Sequence, residues 1–172
     1  MDQLNNEKLK ARILELIRHM GFEEAEIYER AEEGRIVFNI KTRDAQLLIG
    51  KQGATLEALQ HIVRVISRND DQETDTFSFA LDVDDYKDKR TLYLKDLARK
   101  AAARVRETRK PVSLVPMPAY ERRIVHNYLS LYSDIKSEST GREPDRKLII
   151  RPLGNGEKAP KKKDDFNFIE NS

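Results

Sequence analysis

The sequence predicts an α+β protein built from two small units in tandem. Two observations carry that expectation. Apolar residues at helical spacing alternate with short runs of strand-like alternation through the first half, in the order α-β-β-α-α-β. A longer basic helix then leads into a second, smaller set of one helix and two strands. At 172 residues the chain fits one ordinary domain or two small ones.

Leu9, Ile13, Leu16, Ile17 and Met20 recur at helical spacing between Leu4 and Met20, and Gly21 follows as a left-handed cap. Two extended segments are predicted at 25–31 and 35–42. In the second, Ile36, Phe38 and Ile40 alternate with polar neighbours, and Glu33-Gly34 supplies the turn. Asp44 reads as the N-cap of a short helix through Ala45, Leu47 and Leu48. Gly50-Lys51-Gln52-Gly53 follows, then a helix with Leu56, Leu59, Ile62, Val63 and Ile66 on one face. Phe77, Phe79, Leu81 and Val83 alternate as a third strand.

The longer helix is predicted from Tyr86 to about Arg109, with a small-residue stripe of Leu94, Leu97, Ala98, Ala101, Ala102 and Val105. Pro111, Pro116 and Pro118 end it, and Pro118 is expected in the first turn of the next helix, through Tyr120, Ile124, Val125, Tyr128 and Leu129. Two strands are predicted near 135–139 and 147–151, joined by a turn at Gly141-Arg142-Glu143-Pro144. Beyond residue 152 the sequence turns polar and Lys-rich, and 153–172 reads as a disordered tail.

Composition narrows the function classes. Thirty-two basic residues nearly balance thirty acidic ones, a net charge of +2, so any anionic partner must be recognised by charge placement rather than by total charge. With no cysteine there is no disulfide, thiolate nucleophile or thiolate-bound zinc. No apolar run approaches the roughly 20 residues of a membrane span, and the N-terminus lacks the pattern of a secretory signal. A cytoplasmic location without membrane insertion is the expectation.

The first constellation is the loop between these two predicted helices. Glycines at 50 and 53 let the backbone approach a phosphodiester and adopt positive φ. The following helix N-terminus turns amide hydrogens and partial positive charge toward it, and Lys51 adds a mobile cation. Alone, such a pair of glycines is equally a tight turn between packed helices. It is not a nucleoside-triphosphate loop, whose G-x-x-x-x-G-K-[ST] spacing is absent. Ile49-Gly50-Lys51-Gln52-Gly53 followed by Leu56-Glu57-Ala58-Leu59-Gln60 resembles the KH domain, and the element order resembles its second topological type, over roughly residues 4–83. The resemblance implies that Gly50, Lys51, Gln52 and Gly53 clamp the backbone of about four nucleotides.

The second constellation is Tyr120-Glu121-Arg122-Arg123-Ile124-Val125-His126. Arg122 and His126 are four apart and stack on one helical face, with Arg123 three from the histidine. The apolar set at 120, 124, 125 and 128 faces another way, which predicts an exposed cationic and hydrogen-bonding patch. An ordinary polar helix face is the plain reading of R-x-x-x-H by itself. Met117-Pro118 before the helix and residues 139–146 after it resemble the R-3-H domain, over roughly residues 86–152. That resemblance implies Arg122 and His126 as signature residues. Arg123, Arg142, Arg146 and Lys147 are added as residues of the same basic surface.

A KH domain followed directly by an R-3-H domain resembles the Jag family of bacterial proteins, also called KhpB, which are RNA-binding regulators. Many members carry a further N-terminal domain and linker, which this chain is expected to lack. The implied ligand is single-stranded RNA, with single-stranded DNA as the alternative, and the implied protein partner is a small lone KH domain. No cofactor, metal or catalytic centre is expected. The alternatives are a protein-interaction scaffold and a nuclease using His126 as general base beside Asp82, Asp84 and Asp85. Those aspartates read better as caps of the helix that follows. The stretch 86–110 carries ten basic residues, a solvated face or a track for phosphates, and Lys161-Lys162-Lys163 could extend it.

Overall fold

The computed structural model describes residues 3–32, 34–70 and 79–154. It divides into two compact units, Met1–Asp88 and Lys89–Ser172. Glu33, Phe77 and the Lys161-Lys162-Lys163 segment, with nearly all of the expected tail, lie outside the described residues.

In the first unit the elements run α1 (Gln3–His19), β1 (Glu26–Glu32), β2 (Arg35–Lys41), α2 (Ala45–Ile49), α3 (Ala54–Asp70) and β3 (Phe79–Val83), with a single 3-10 turn at Lys51–Gly53 between α2 and α3. The sheet order is β1-β2-β3. β1 pairs antiparallel with β2, Ile27 opposite Ile40, and β3 joins β2 in parallel, Leu81 opposite Phe38. The helical spacing of α1 puts Leu9, Ile13 and Ile17 into a core shared with Phe38, Ile40, Leu48, Leu56, Leu59, Val63 and Leu81. Gln60 reaches into that core and accepts a hydrogen bond from the Leu81 amide at 2.7 Å.

Several expectations are corrected here. Ile62 and Ile66 do not join Leu56, Leu59 and Val63 in the core: they are 46% and 39% exposed, beside Val65 at 45%. The apolar set of α3 is wider than the arc its sheet can cover. β3 does not alternate, since all five of its residues are buried, Ala80 and Asp82 included. Asp44 occupies the N-cap of α2 without a side-chain bond; its carbonyl accepts instead, from the Leu47 and Leu48 amides.

Asp82 does cap the helix that follows. It has no exposed surface, and its Oδ1 accepts from the Val83 and Lys87 amides at 2.9 and 3.2 Å. Burial pushes its carboxyl above the usual range, opposed by those two amide bonds. Asp85 instead binds Asn39 at 2.7 Å and ion-pairs with Arg30 and Lys41, and Asp84 pairs with Lys41.

The second unit takes in most of α4 (Tyr86–Thr108), then β4 (Val112–Ser113), α5 (Ala119–Leu129), β5 (Ile135–Thr140) and β6 (Lys147–Pro152). Its sheet runs β4-β6-β5, both pairings antiparallel. β4 is a two-residue strand too short to show in sequence. The stripe Leu94, Ala98, Ala101, Ala102 and Val105 packs on Met117, Val125, Leu129, Ile135, Leu148 and Ile150. Alanines there let helix and sheet approach closely. Pro118 stands one position earlier than expected, at the N-cap of α5, its carbonyl accepting from the Arg122 amide at 3.0 Å.

One charge pair sits at the centre of this unit. Glu121 has no exposed surface, and Arg90 grips it through two parallel bonds, Nε to Oε1 at 2.7 Å and Nη2 to Oε2 at 2.9 Å. A buried carboxylate deprived of such a partner costs about 3–5 kcal/mol, so the pair fixes α4 against the start of α5.

Candidate nucleic-acid interface

The loop after α2 is shaped by three left-handed backbone positions within four residues. Gly50 has φ +72° and ψ −176°, Gln52 φ +54° and Gly53 φ +81°. The Gly50 amide closes α2 by donating to Gln46 at 2.9 Å, and the Gly53 amide donates to Gly50 at 3.3 Å. A Cβ on Gly50 would lie 2.1 Å from the Thr55 hydroxyl oxygen, and one on Gly53 would meet the Tyr86 ring at 3.0 Å. Both glycines are therefore demanded by the turn itself, independently of any ligand. The side chains left to project are Lys51, exposed, and Gln52, half-buried, directly ahead of the first turn of α3.

On α5 the structure separates residues that the sequence groups together. Arg122 is not an exposed cation: it is 7% exposed, with Nη1 donating to the Met117 carbonyl and Nη2 pairing with Glu143 at 2.6 Å. It lies on the face that also buries Val125 and Leu129, three and seven positions on, so its guanidinium is drawn inward and ties the entry of α5 to the β5–β6 turn. Arg123 and His126 remain exposed. His126 Nδ1 lies 2.7 Å from the Ser137 hydroxyl on β5, which pins the ring and leaves Nε2 for an outside partner.

The basic residues of the β5–β6 region divide similarly. Arg146 is exposed, with Nε donating to the Ser139 hydroxyl at 2.9 Å, while Arg142 is exposed in the turn and Lys147 is half-buried on β6. Ser137 and Ser139 are two apart on β5 and so share one face. Ser137 holds His126 and Ser139 holds Arg146. Sequence reasoning missed these serines, although they share strand parity with the buried Ile135, which could have marked them as facing α5.

Part of the proposed phosphate track on α4 is engaged elsewhere. Arg90 holds Glu121, Arg99 and Lys100 both pair with Asp96, and Arg106 grips Asp134 at 2.7 and 2.9 Å while covering the Tyr132 ring. Among the described residues, no group of three His, Asp or Glu side chains clusters as metal ligands, and no helix is long and apolar enough to cross a membrane.

Comparison with known proteins locates these features. Residues 92–152 match the R-3-H domain family. The chain is 38% identical over 112 residues to the RNA-binding protein KhpB of Clostridium symbiosum, covering 65% of this chain and 50% of that protein. It is 38% identical over 116 residues to the RNA-binding protein KhpB of Bacillus subtilis, covering 66% and 54%. For the protein of the same name from Lactiplantibacillus plantarum the figures are 38% over 112 residues, 65% and 34%. The match thus spans about a third to a half of the length of these curated relatives.

Arg122 and Arg123 are expected to behave oppositely on substitution. Arg122→Ala removes a buried hydrogen bond and its ion pair and should cost about 1–3 kcal/mol of unfolding free energy. Arg123→Ala, on the surface, should stay within about 0.5 kcal/mol of the parent. Urea titration followed by circular dichroism reads both.

Similarity along two thirds of its length, with an R-3-H domain at its C-terminal side, places this chain in the Jag, or KhpB, family.

Proposed function

We propose that this chain binds single-stranded RNA through two sites and has no catalytic centre. In this reading residues 4–83 form a KH domain of the second topological type and residues 86–152 an R-3-H domain. The observation that carries it is the loop at 50–53: glycine at both ends, left-handed backbone between them, and Lys51 and Gln52 projecting ahead of α3. Such a surface fits a phosphodiester, with Lys51 as a cation directly ahead of the N-terminus of α3. The order of elements in the first unit supports the KH assignment, and the names of the relatives support RNA as ligand.

The second site is assigned to Arg123, His126 and Arg146, with Arg142 and Lys147 beside them. Arg122 serves it by holding the entry of α5 in place. Neither site need be tight alone, because tethering makes the second contact intramolecular. Single-stranded DNA is the alternative ligand, distinguished by contacts to the 2′-hydroxyl. Regulation of gene expression or growth in a bacterial cytoplasm is the corresponding cellular role.

A second reading, a scaffold that binds protein, is favoured by one observation, the exposed Ile62, Val65 and Ile66 on α3. The partner in that reading is a small protein made of a lone KH domain. Ile66→Glu should then abolish co-sedimentation with it while leaving RNA affinity unchanged.

Lys51→Asp with Gln52→Asp tests the main proposal without disturbing the glycines. Aspartate tolerates the left-handed conformation at position 52, so the fold should hold. RNA affinity in a filter-binding assay is expected to fall at least about tenfold, the loss of roughly one phosphate contact plus added repulsion. Unchanged affinity in a folded double variant would refute the loop mechanism.

A further inference from the structure

Two exposed aromatic rings stand on the second unit, outside its core. Tyr93 on α4 is 55% exposed and Tyr120 on α5 is 41% exposed. Both are positioned by the same buried pair. The Arg90 guanidinium carbon lies 5.0 Å from the centroid of the Tyr93 ring, and the Tyr120 hydroxyl donates to Glu121 Oε1 at 3.3 Å. With Glu121 fully buried and doubly bonded by Arg90, the guanidinium covers one face of Tyr93 and leaves the other for a base, while Tyr120 is held by its hydroxyl.

We propose that Tyr93 and Tyr120 form a stacking site for unpaired nucleobases, adjoining Arg123 on α5. The inference rests on the RNA-binding reading above and adds a base contact to sites that otherwise grip the backbone. Helical spacing sets the surroundings. Tyr120 and Arg123 are three apart and neighbours on the outer side of α5, while Lys89, Tyr93, Lys100 and Arg104 fall on one exposed side of α4. Lys100 is shared with Asp96 at 2.6 Å; the stripe is cationic all the same.

An aromatic face amid cations matches what a single strand offers, a flat base with a phosphate on either side. A protein partner would call for a broader apolar surround than exposed Leu92 beside Tyr93, whereas Lys89 and Arg90 flank that ring and Arg123 neighbours Tyr120. Stacking tolerates any base, because every base has a π-face. The site would therefore add affinity and register more than sequence choice.

The test uses the full chain and a fluorescent single-stranded RNA, alongside copies carrying one abasic nucleotide at each position in turn. Tyr93→Ala and Tyr120→Ala should each weaken binding about tenfold, the loss of one stacked base, with the slope against salt unchanged. Tyr93→Phe and Tyr120→Phe should bind as the parent does. The abasic position that weakens the parent should no longer weaken the matching Ala variant. Parental affinity and abasic sensitivity in the folded Ala variants, with the Lys51 and Gln52 double variant still impaired, would overturn the stacking site and leave the RNA reading standing. Equal loss in the Phe variants would assign the effect to the Tyr hydroxyls and overturn it too. No binding of single-stranded RNA by the parent chain would overturn both.

Discussion

The backbone at residues 50–53 is the constraint on which the first unit's candidate interface depends. Three positive φ values in four residues reverse the chain between α2 and α3 within a single 3-10 turn. Thr55 crowds one glycine and the Tyr86 ring the other, so no side chain can stand at either end. What remains is a short backbone arch, half-buried at Gly50 and buried at Gly53, with Lys51 exposed and Gln52 half-buried as its projections. The requirements of the turn and those of a phosphate-binding loop coincide. Glycines at these positions therefore cannot by themselves separate the two roles, whereas the identities of residues 51 and 52 can.

The second unit meets a related problem with charges rather than glycine. Two of its arginines are structural: Arg90 on the buried Glu121, and Arg122 on the Met117 carbonyl and Glu143. Each ties α5 to another element, and removing either arginine, which leaves a buried group unpaired, costs more than losing an exposed pair such as Arg99–Asp96. With α5 fixed, Arg123 and His126 are exposed, and the serines of β5 bond the histidine and Arg146. An R-x-x-x-H signature thus divides its labour, the arginine holding and the histidine presenting.

Much of this was legible in the sequence. Apolar periodicity located α1, α4 and α5 and the central strand β2, because each buries one clear face. The Gly-x-x-Gly spacing marked the loop, since both glycines answer to backbone geometry. The inward turn of Arg122 was not legible. Its helical phase relative to Val125 and Leu129 was available, but an arginine is ordinarily read as solvated, and its partners at Met117 and Glu143 come from separate parts of the chain. Ile62 and Ile66 failed in the opposite sense: apolar spacing shows that a face is hydrophobic, not that anything within the chain covers it. β4 was invisible because two residues carry no period.

Amide chemical-shift mapping of the full chain with a short single-stranded RNA tests most directly whether the two surfaces hold one ligand. Perturbations should concentrate at Gly50–Gly53 and the first turn of α3, and at Tyr120–Asn127 with Ser137 and Ser139, growing together along a single titration. Perturbations confined to the Ile62–Ile66 face of α3, or none at saturating RNA, would contradict the assignment of both sites.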